Sequence, residues 1–162
     1  MPDNISHLLF DWGDTLMLDD PNNASEMYTW ETVAPMDGVS DLMPRLSRKF
    51  TCAVVSNASE SNAETMKMAF ERVGLAQYFD IFLTSKELGA RKPQAEFFTR
   101  ALGQLNVEAG NAIMVGNDYE KDIAPASAVG LRTILITTAG GSYPCADFVL
   151  SSFAALAFLL RD

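Results

Sequence analysis

Short apolar runs alternate with longer amphipathic stretches along the chain. Leu8, Leu9 and Phe10 form the first run. Residues 51–55, 78–83, 112–115 and 132–136 supply four more, and residues 148–150 a short one at an edge. Such runs fit strands buried on both faces of a parallel sheet. The stretches between them have helical spacing. Ser40 is placed as the N-cap of a helix through Lys49, with Leu42, Met43 and Leu46 on one face and Pro44 tolerable only near the first turn. Ser59 or Ser61 starts a second helix, carrying Met66, Phe70 and Val73 and ended by Gly74. Pro93 opens a third, carrying Phe97, Phe98, Ala101, Leu102 and Leu105. Asp118 caps a fourth that runs to about Val129, and Gly130 closes it. Residues 153–160 are apolar but too short to span a bilayer, so a docked terminal helix is expected.

This alternation predicts an α/β protein: a three-layer α/β/α Rossmann-like parallel sheet with helices on both faces. The 162 residues suit one domain spanning 1–162. Residues 18–36 are rich in Asp, Asn and Pro and read as a loop insertion. They are too few for a second domain with its own core. Tyr28 and Trp30 either pin this loop to the body or cover the mouth of a site, and pinning is the reading taken.

Charge narrows the partners. The formal net charge of -9 argues against a nucleic-acid backbone or an anionic membrane. It leaves room for a phosphorylated substrate at a locally positive site. Cys52 and Cys145 form no Cys-x-x-Cys pair, which suits a reduced, cytoplasmic protein. No basic segment followed by an apolar one opens the chain, so no signal peptide is expected. His7, the only histidine, precedes the first strand and reads as an edge residue.

Polar clusters follow the buried runs. Asp11, Gly13, Asp14 and Thr15 follow the first, Ser56 and Asn57 the second, and Asn117 and Asp118 the fourth. Lys92 precedes a helix. In a parallel sheet those three strand ends share one edge, where ligands bind in open α/β sheets.

Together these clusters resemble the haloacid dehalogenase-like superfamily, mostly phosphohydrolases of Rossmann-like fold. Asp11-Trp12-Gly13-Asp14-Thr15 resembles its first motif, Asp-x-Asp-x-Thr, and Ser56 the Ser or Thr of the second. Lys92-Pro93 resembles the third, and the run from Val115 to Asp122 the fourth, typically Gly-Asp with a later acidic residue. The resemblance implies Asp11 as nucleophile, forming an aspartyl-phosphate that water then hydrolyses. It implies Mg²⁺ as cofactor, held by Asp11, the Gly13 carbonyl and a fourth-motif side chain among Asn117, Asp118 and Asp122. Ser56, Asn57, Lys92 and main-chain N–H groups, that of Gly13 among them, would hold phosphoryl oxygens.

Two positions depart from the pattern. Gly13 stands where the family's phosphatases keep the second Asp, the general acid and base. Asp14, one residue on, either substitutes for it or only makes a turn. Asn117 stands at the usual metal-binding Asp and offers a neutral oxygen. Asp118 would then either bind the metal or cap the following helix, and Asp122 would bind it or orient Lys92. The chain also has no helical cap domain between the first two motifs. An open site of that kind suggests a bulky substrate, an exposed phosphorylated group, or a homo-oligomer whose neighbour covers it.

The leading expectation is a Mg²⁺-dependent phosphohydrolase acting on a phosphorylated small molecule or an exposed phosphorylated group. The alternative is a catalytically weak or inactive member acting as a binding protein. A 2-haloacid dehalogenase ranks lower, because it needs an enclosed apolar pocket.

Overall fold

A computed structural model describes residues 4–161. Six strands form one sheet: β1 (His7–Phe10), β2 (Thr51–Ser56), β3 (Ile81–Thr84), β4 (Ala112–Gly116), β5 (Arg132–Ile136) and β6 (Phe148–Leu150). Their order is β3-β2-β1-β4-β5-β6, and every neighbouring pair is parallel. The first strand therefore lies in the middle, and chain order reverses between β1 and β4. Side chains alternate across the sheet. Leu8 and Phe10 pack on one face with Cys52, Val54, Ile113 and Val115. Leu9 packs on the other with Ala53, Val55, Ala112 and Met114.

Five helices cover the two faces: α1 (Val39–Leu46), α2 (Ala63–Glu71), α3 (Ser85–Leu88), α4 (Ala95–Leu105) and α5 (Ala124–Ala128). The apolar sides of α1 and α2 join the Phe10 face, along with the 3₁₀ segment Phe153–Leu160. Leu88 of α3, Phe97 and Phe98 of α4 and Ala126 of α5 join the Leu9 face. The three-layer architecture is the one expected from the alternating runs.

Local details differ from expectation for physical reasons. Ser40 lies inside α1, and the helix starts from Gly38, whose φ of +83° only glycine adopts readily. Pro44 sits well inside that helix. The cap of α2 is Asn62, not Ser59 or Ser61: its side chain accepts the Thr65 N–H at 3.0 Å while the Thr65 hydroxyl accepts the Asn62 N–H at 3.1 Å. Residues 76–78 form a 3₁₀ turn, so β3 begins at Ile81. The docked tail is 3₁₀ in place of α-helix. Asp118 does cap the segment after β4, which opens as a π-turn (Tyr119–Ile123) before α5. Among the described residues, no helix is long and apolar enough to cross a membrane.

Candidate active site at the carboxyl edge of the sheet

β1, β2 and β4 deliver Asp11, Ser56 and Asn117 to one edge of the sheet. Asp11 continues the β1 ladder, its N–H donating to the Val115 carbonyl at 2.9 Å. The centre of the site is Lys92, 5% exposed. Its Nζ donates to Asp11 Oδ1 and to Asp122 Oδ1, both at 2.7 Å, and to the Val55 carbonyl at 3.3 Å. Burial pushes the Lys92 ammonium down, but Asp11 and Asp122 outweigh it and the net shift is upward. Lys92 is therefore a fixed positive charge.

The loop carrying Lys92 is clamped. Asn57 Oδ1 accepts the Lys92 N–H at 2.7 Å, and Asn57 Nδ2 donates to the Lys92 carbonyl at 3.0 Å. Arg100 of α4 donates to the carbonyls of Leu88 and Gly89 at 2.8 and 2.9 Å. Asn57 was expected to touch phosphate. In the structure its side-chain amide holds the Lys92 main chain.

Asp122 is 1% exposed, and both of its oxygens are engaged. Oδ1 faces Lys92, and Oδ2 accepts the Asp118 N–H at 3.1 Å. Burial pushes its carboxyl up to about 6, against the pull of Lys92 and with Asp11 adding to the rise. Gly116 makes this approach possible, since a Cβ there would overlap the Asp122 carboxylate. Of the two groups left open as partners of Asp122, Lys92 is the one it contacts here.

The remaining predicted residues divide. Thr15 is buried, and its hydroxyl reaches Asp11 Oδ2 at 3.4 Å and Asn117 Oδ1 at 3.3 Å. Ser56 is buried, and its Oγ accepts the Ala58 N–H at 3.3 Å, which leaves its hydroxyl hydrogen to donate. Asp118 caps the following turn, its Oδ1 accepting the Lys121 N–H at 3.0 Å. Asp14 is exposed at φ +58°, and its Oδ1 accepts the Asp19 N–H at 3.0 Å. Its side chain makes a turn rather than facing Asp11.

Asp19 escaped the sequence reading, which saw only an Asp/Asn-rich loop. The chain after β1 folds back on itself. Asp14 N–H donates to the Met17 carbonyl at 2.7 Å, and Leu18 N–H to the Ala34 carbonyl at 2.9 Å. This brings Asp19 over Gly13. Partial burial pushes the Asp19 carboxyl above its ordinary value; Asp14, Asp11 and Asp20 add to this, against a main-chain hydrogen bond from Asp20. Gly13, Asp19, Trp30 and Ser56 line a cavity of about 550 Å³, with Arg91 and Lys121 also on its wall. Trp30 is also held to the body, because Arg72, just past the end of α2, donates to the Tyr28, Trp30 and Glu31 carbonyls. It pins the loop and lines the site at once. Trp12, 6% exposed, also lines the cavity, and its indole N–H has no partner among the described residues.

The donors near Asp11 are all oxygens. Asp11 Oδ2 and Asn117 Oδ1 converge on one hydroxyl, and the Gly13 carbonyl accepts no hydrogen bond among the described residues. An oxygen-only set fits a hard cation such as Mg²⁺. Its one carboxylate is that of Asp11, which is also paired with Lys92, and Asn117 is neutral. No cluster of three or more His, Cys, Asp or Glu side chains suited to a metal occurs among the described residues.

Comparison with known proteins shows the family and the fold. A profile of the family described as haloacid dehalogenase-like hydrolase matches residues 15–136. The chain belongs to that family. The match begins at Thr15, just past Asp11 and Gly13. The chain is 50% identical over 72 residues to a ribulose-1,5-bisphosphate 5-phosphatase of Halopiger xanaduensis, covering 44% of this chain and 30% of that protein. It is 38% identical over 97 residues to a glyceraldehyde 3-phosphate phosphatase of Methanocaldococcus jannaschii, covering 56% of this chain and 42% of that one. In both cases the match spans less than half of the relative. YfnB of Bacillus subtilis, solved bound to magnesium, shares the fold with a TM-score of 0.79 at 16% identity, covering 98% of this chain and 100% of that one.

Proposed function

We propose that this chain is a Mg²⁺-dependent phosphohydrolase that uses Asp11 as nucleophile on a phosphorylated small molecule or an exposed phosphorylated group. The observation that carries this reading is the grip of Lys92 on Asp11. Oδ1 is held by Nζ at 2.7 Å, and the only other contact on the carboxylate among the described residues is a 3.4 Å hydrogen bond from Thr15 to Oδ2. The phosphatase names of the two partial relatives support it.

The chemistry follows from the residues. Oδ2 attacks phosphorus as the bond to the leaving oxygen breaks, giving an aspartyl-phosphate. Water then attacks that phosphorus, releasing phosphate and restoring Asp11. A carboxylate and a phosphate repel each other, and Lys92 supplies a fixed charge against that repulsion. The Ser56 hydroxyl donates to a phosphoryl oxygen. Asp11, the Gly13 carbonyl and Asn117 would hold Mg²⁺, which when bound neutralises charge on the phosphoryl group.

A second reading is a phosphate-binding member with little turnover. Asn117 and Gly13 favour it, since each lacks a carboxylate that the family's pattern supplies. The test is hydrolysis of p-nitrophenyl phosphate with and without Mg²⁺, beside Asp11→Asn. Turnover that needs both Mg²⁺ and Asp11 is expected. A folded wild-type protein with no turnover overturns the hydrolase reading in favour of the binding one.

A further inference from the structure

Gly13 leaves room that another residue's side chain fills. A Cβ built on Gly13 would lie 3.1 Å from Asp19 Oδ2 and 3.2 Å from Asp19 Cβ and Cγ. The Asp19 carboxylate thus packs against the point from which a side chain at position 13 would start. The arrangement is held by several contacts. Asp14 grips the Asp19 N–H, Gly13 bridges Met17, and Met17 bridges Pro35 on the returning strand. Gly13 and Asp19 share the cavity wall with Ser56.

Four other carboxylates near the site are committed elsewhere, while Glu26 and Glu60 also line the cavity. Asp14 makes the turn, Asp20 accepts the Asn22 N–H at 3.0 Å, Asp118 caps, and Asp122 holds Lys92. An alkoxide is a poor leaving group unless a positioned acid protonates it.

We propose that Asp19 is the general acid and base of this site, delivered from six positions along the chain by the fold-back of the loop. The inference rests on the phosphohydrolase reading. As the ester bond breaks, the proton moves from the Asp19 carboxyl to the leaving oxygen. The Asp19 carboxylate then takes a proton from the water that attacks the aspartyl-phosphate. Phosphate departs, and both carboxyls return to their starting states.

The test is single-turnover kinetics of Asp19→Asn with two esters. Release of p-nitrophenol from its phosphate needs little protonation and should match wild type, as a burst followed by slow steady turnover. Release of sugar from glucose 6-phosphate should fall by ~10²–10⁴-fold. A double variant, Gly13→Asp with Asp19→Ala, should restore sugar release, because the new carboxylate enters the space vacated by Asp19. Equal losses on both esters, or no loss on either, would overturn the assignment while leaving the phosphohydrolase reading intact. A wild type inactive on both esters would overturn that reading and this one together. Asp19 is exposed and outside the core, so a folded variant is expected and thermal unfolding checks it.

Discussion

Lys92 and Asp11 form an ion pair at the end of the central strand, Nζ to Oδ1 at 2.7 Å, with 3% and 13% of their side chains exposed. The same Nζ holds Asp122 at 2.7 Å, so one cation serves two carboxylates. Removing it strands both. Lys92→Met should abolish turnover and lower the unfolding free energy by ~3–5 kcal/mol, the usual cost of an orphaned buried charge. Urea unfolding measures the loss. Adding Asp122→Asn to Lys92→Met should recover part of it, since one of the stranded charges is then gone.

The Asp122 carboxyl sits at about 6, above its ordinary value of 3.8. Protonation is therefore favoured on folding. The stability this group contributes is fully present below its ordinary value and is lost as pH rises through about 6. Activity should run the opposite way, because only the carboxylate anchors Lys92. A fall in kcat below about pH 6 is expected. Asp122→Asn should lose that acid limb and lower kcat ~10²-fold through a misplaced lysine. A pH–rate profile that keeps its limb in the variant would show that another group sets it.

The Thr15 hydroxyl lies 3.4 Å from Asp11 Oδ2 and 3.3 Å from Asn117 Oδ1, within reach of either acceptor. Asn117→Asp adds a charge to a donor set that has only one. The Mg²⁺ concentration giving half-maximal activity should fall by ~10-fold, equivalent to ~1.4 kcal/mol of added affinity. Titration of activity with MgCl₂ measures it, and an unchanged midpoint would remove Asn117 from the metal's donors.

Gly116 sits against the Asp122 side chain with no space for a Cβ. Gly116→Ala should cost ~1–3 kcal/mol by overpacking and reduce activity by displacing Asp122. Gly103, in the last turn of α4 with nothing near its missing Cβ, is the control. Gly103→Ala should stabilise by ~0.5–1 kcal/mol through helix propensity and leave activity alone. Thermal unfolding of the two variants separates crowding from propensity.

The fold was legible because its information is local. Runs such as Leu8-Leu9-Phe10 and Ile113-Met114-Val115 fill both faces of a sheet, and only a sheet covered by helices on both sides buries them. Asp11, Ser56 and Asn117 were legible for the same reason: each follows its strand directly, and parallel strands deliver their ends to one edge. Helix starts were less legible. Asn62 lies one residue past Ser61, and the cap goes to whichever side chain reaches the free N–H groups.

Alignment of strand ends thus followed from the sequence alone: an α/β sheet with Asp11, Ser56 and the residues after β4 gathered at one edge, to which the family resemblance added Lys92. Tertiary structure decided what each polar group is spent on. Asn57 binds the Lys92 main chain across 35 positions of sequence, and Asp122 meets Lys92 across 30. Asp19 reaches Gly13 only because Met17 pairs with Pro35 and folds the loop back. No periodicity encodes such meetings, because the partner of a polar side chain is fixed by distances that exist only once the core has closed.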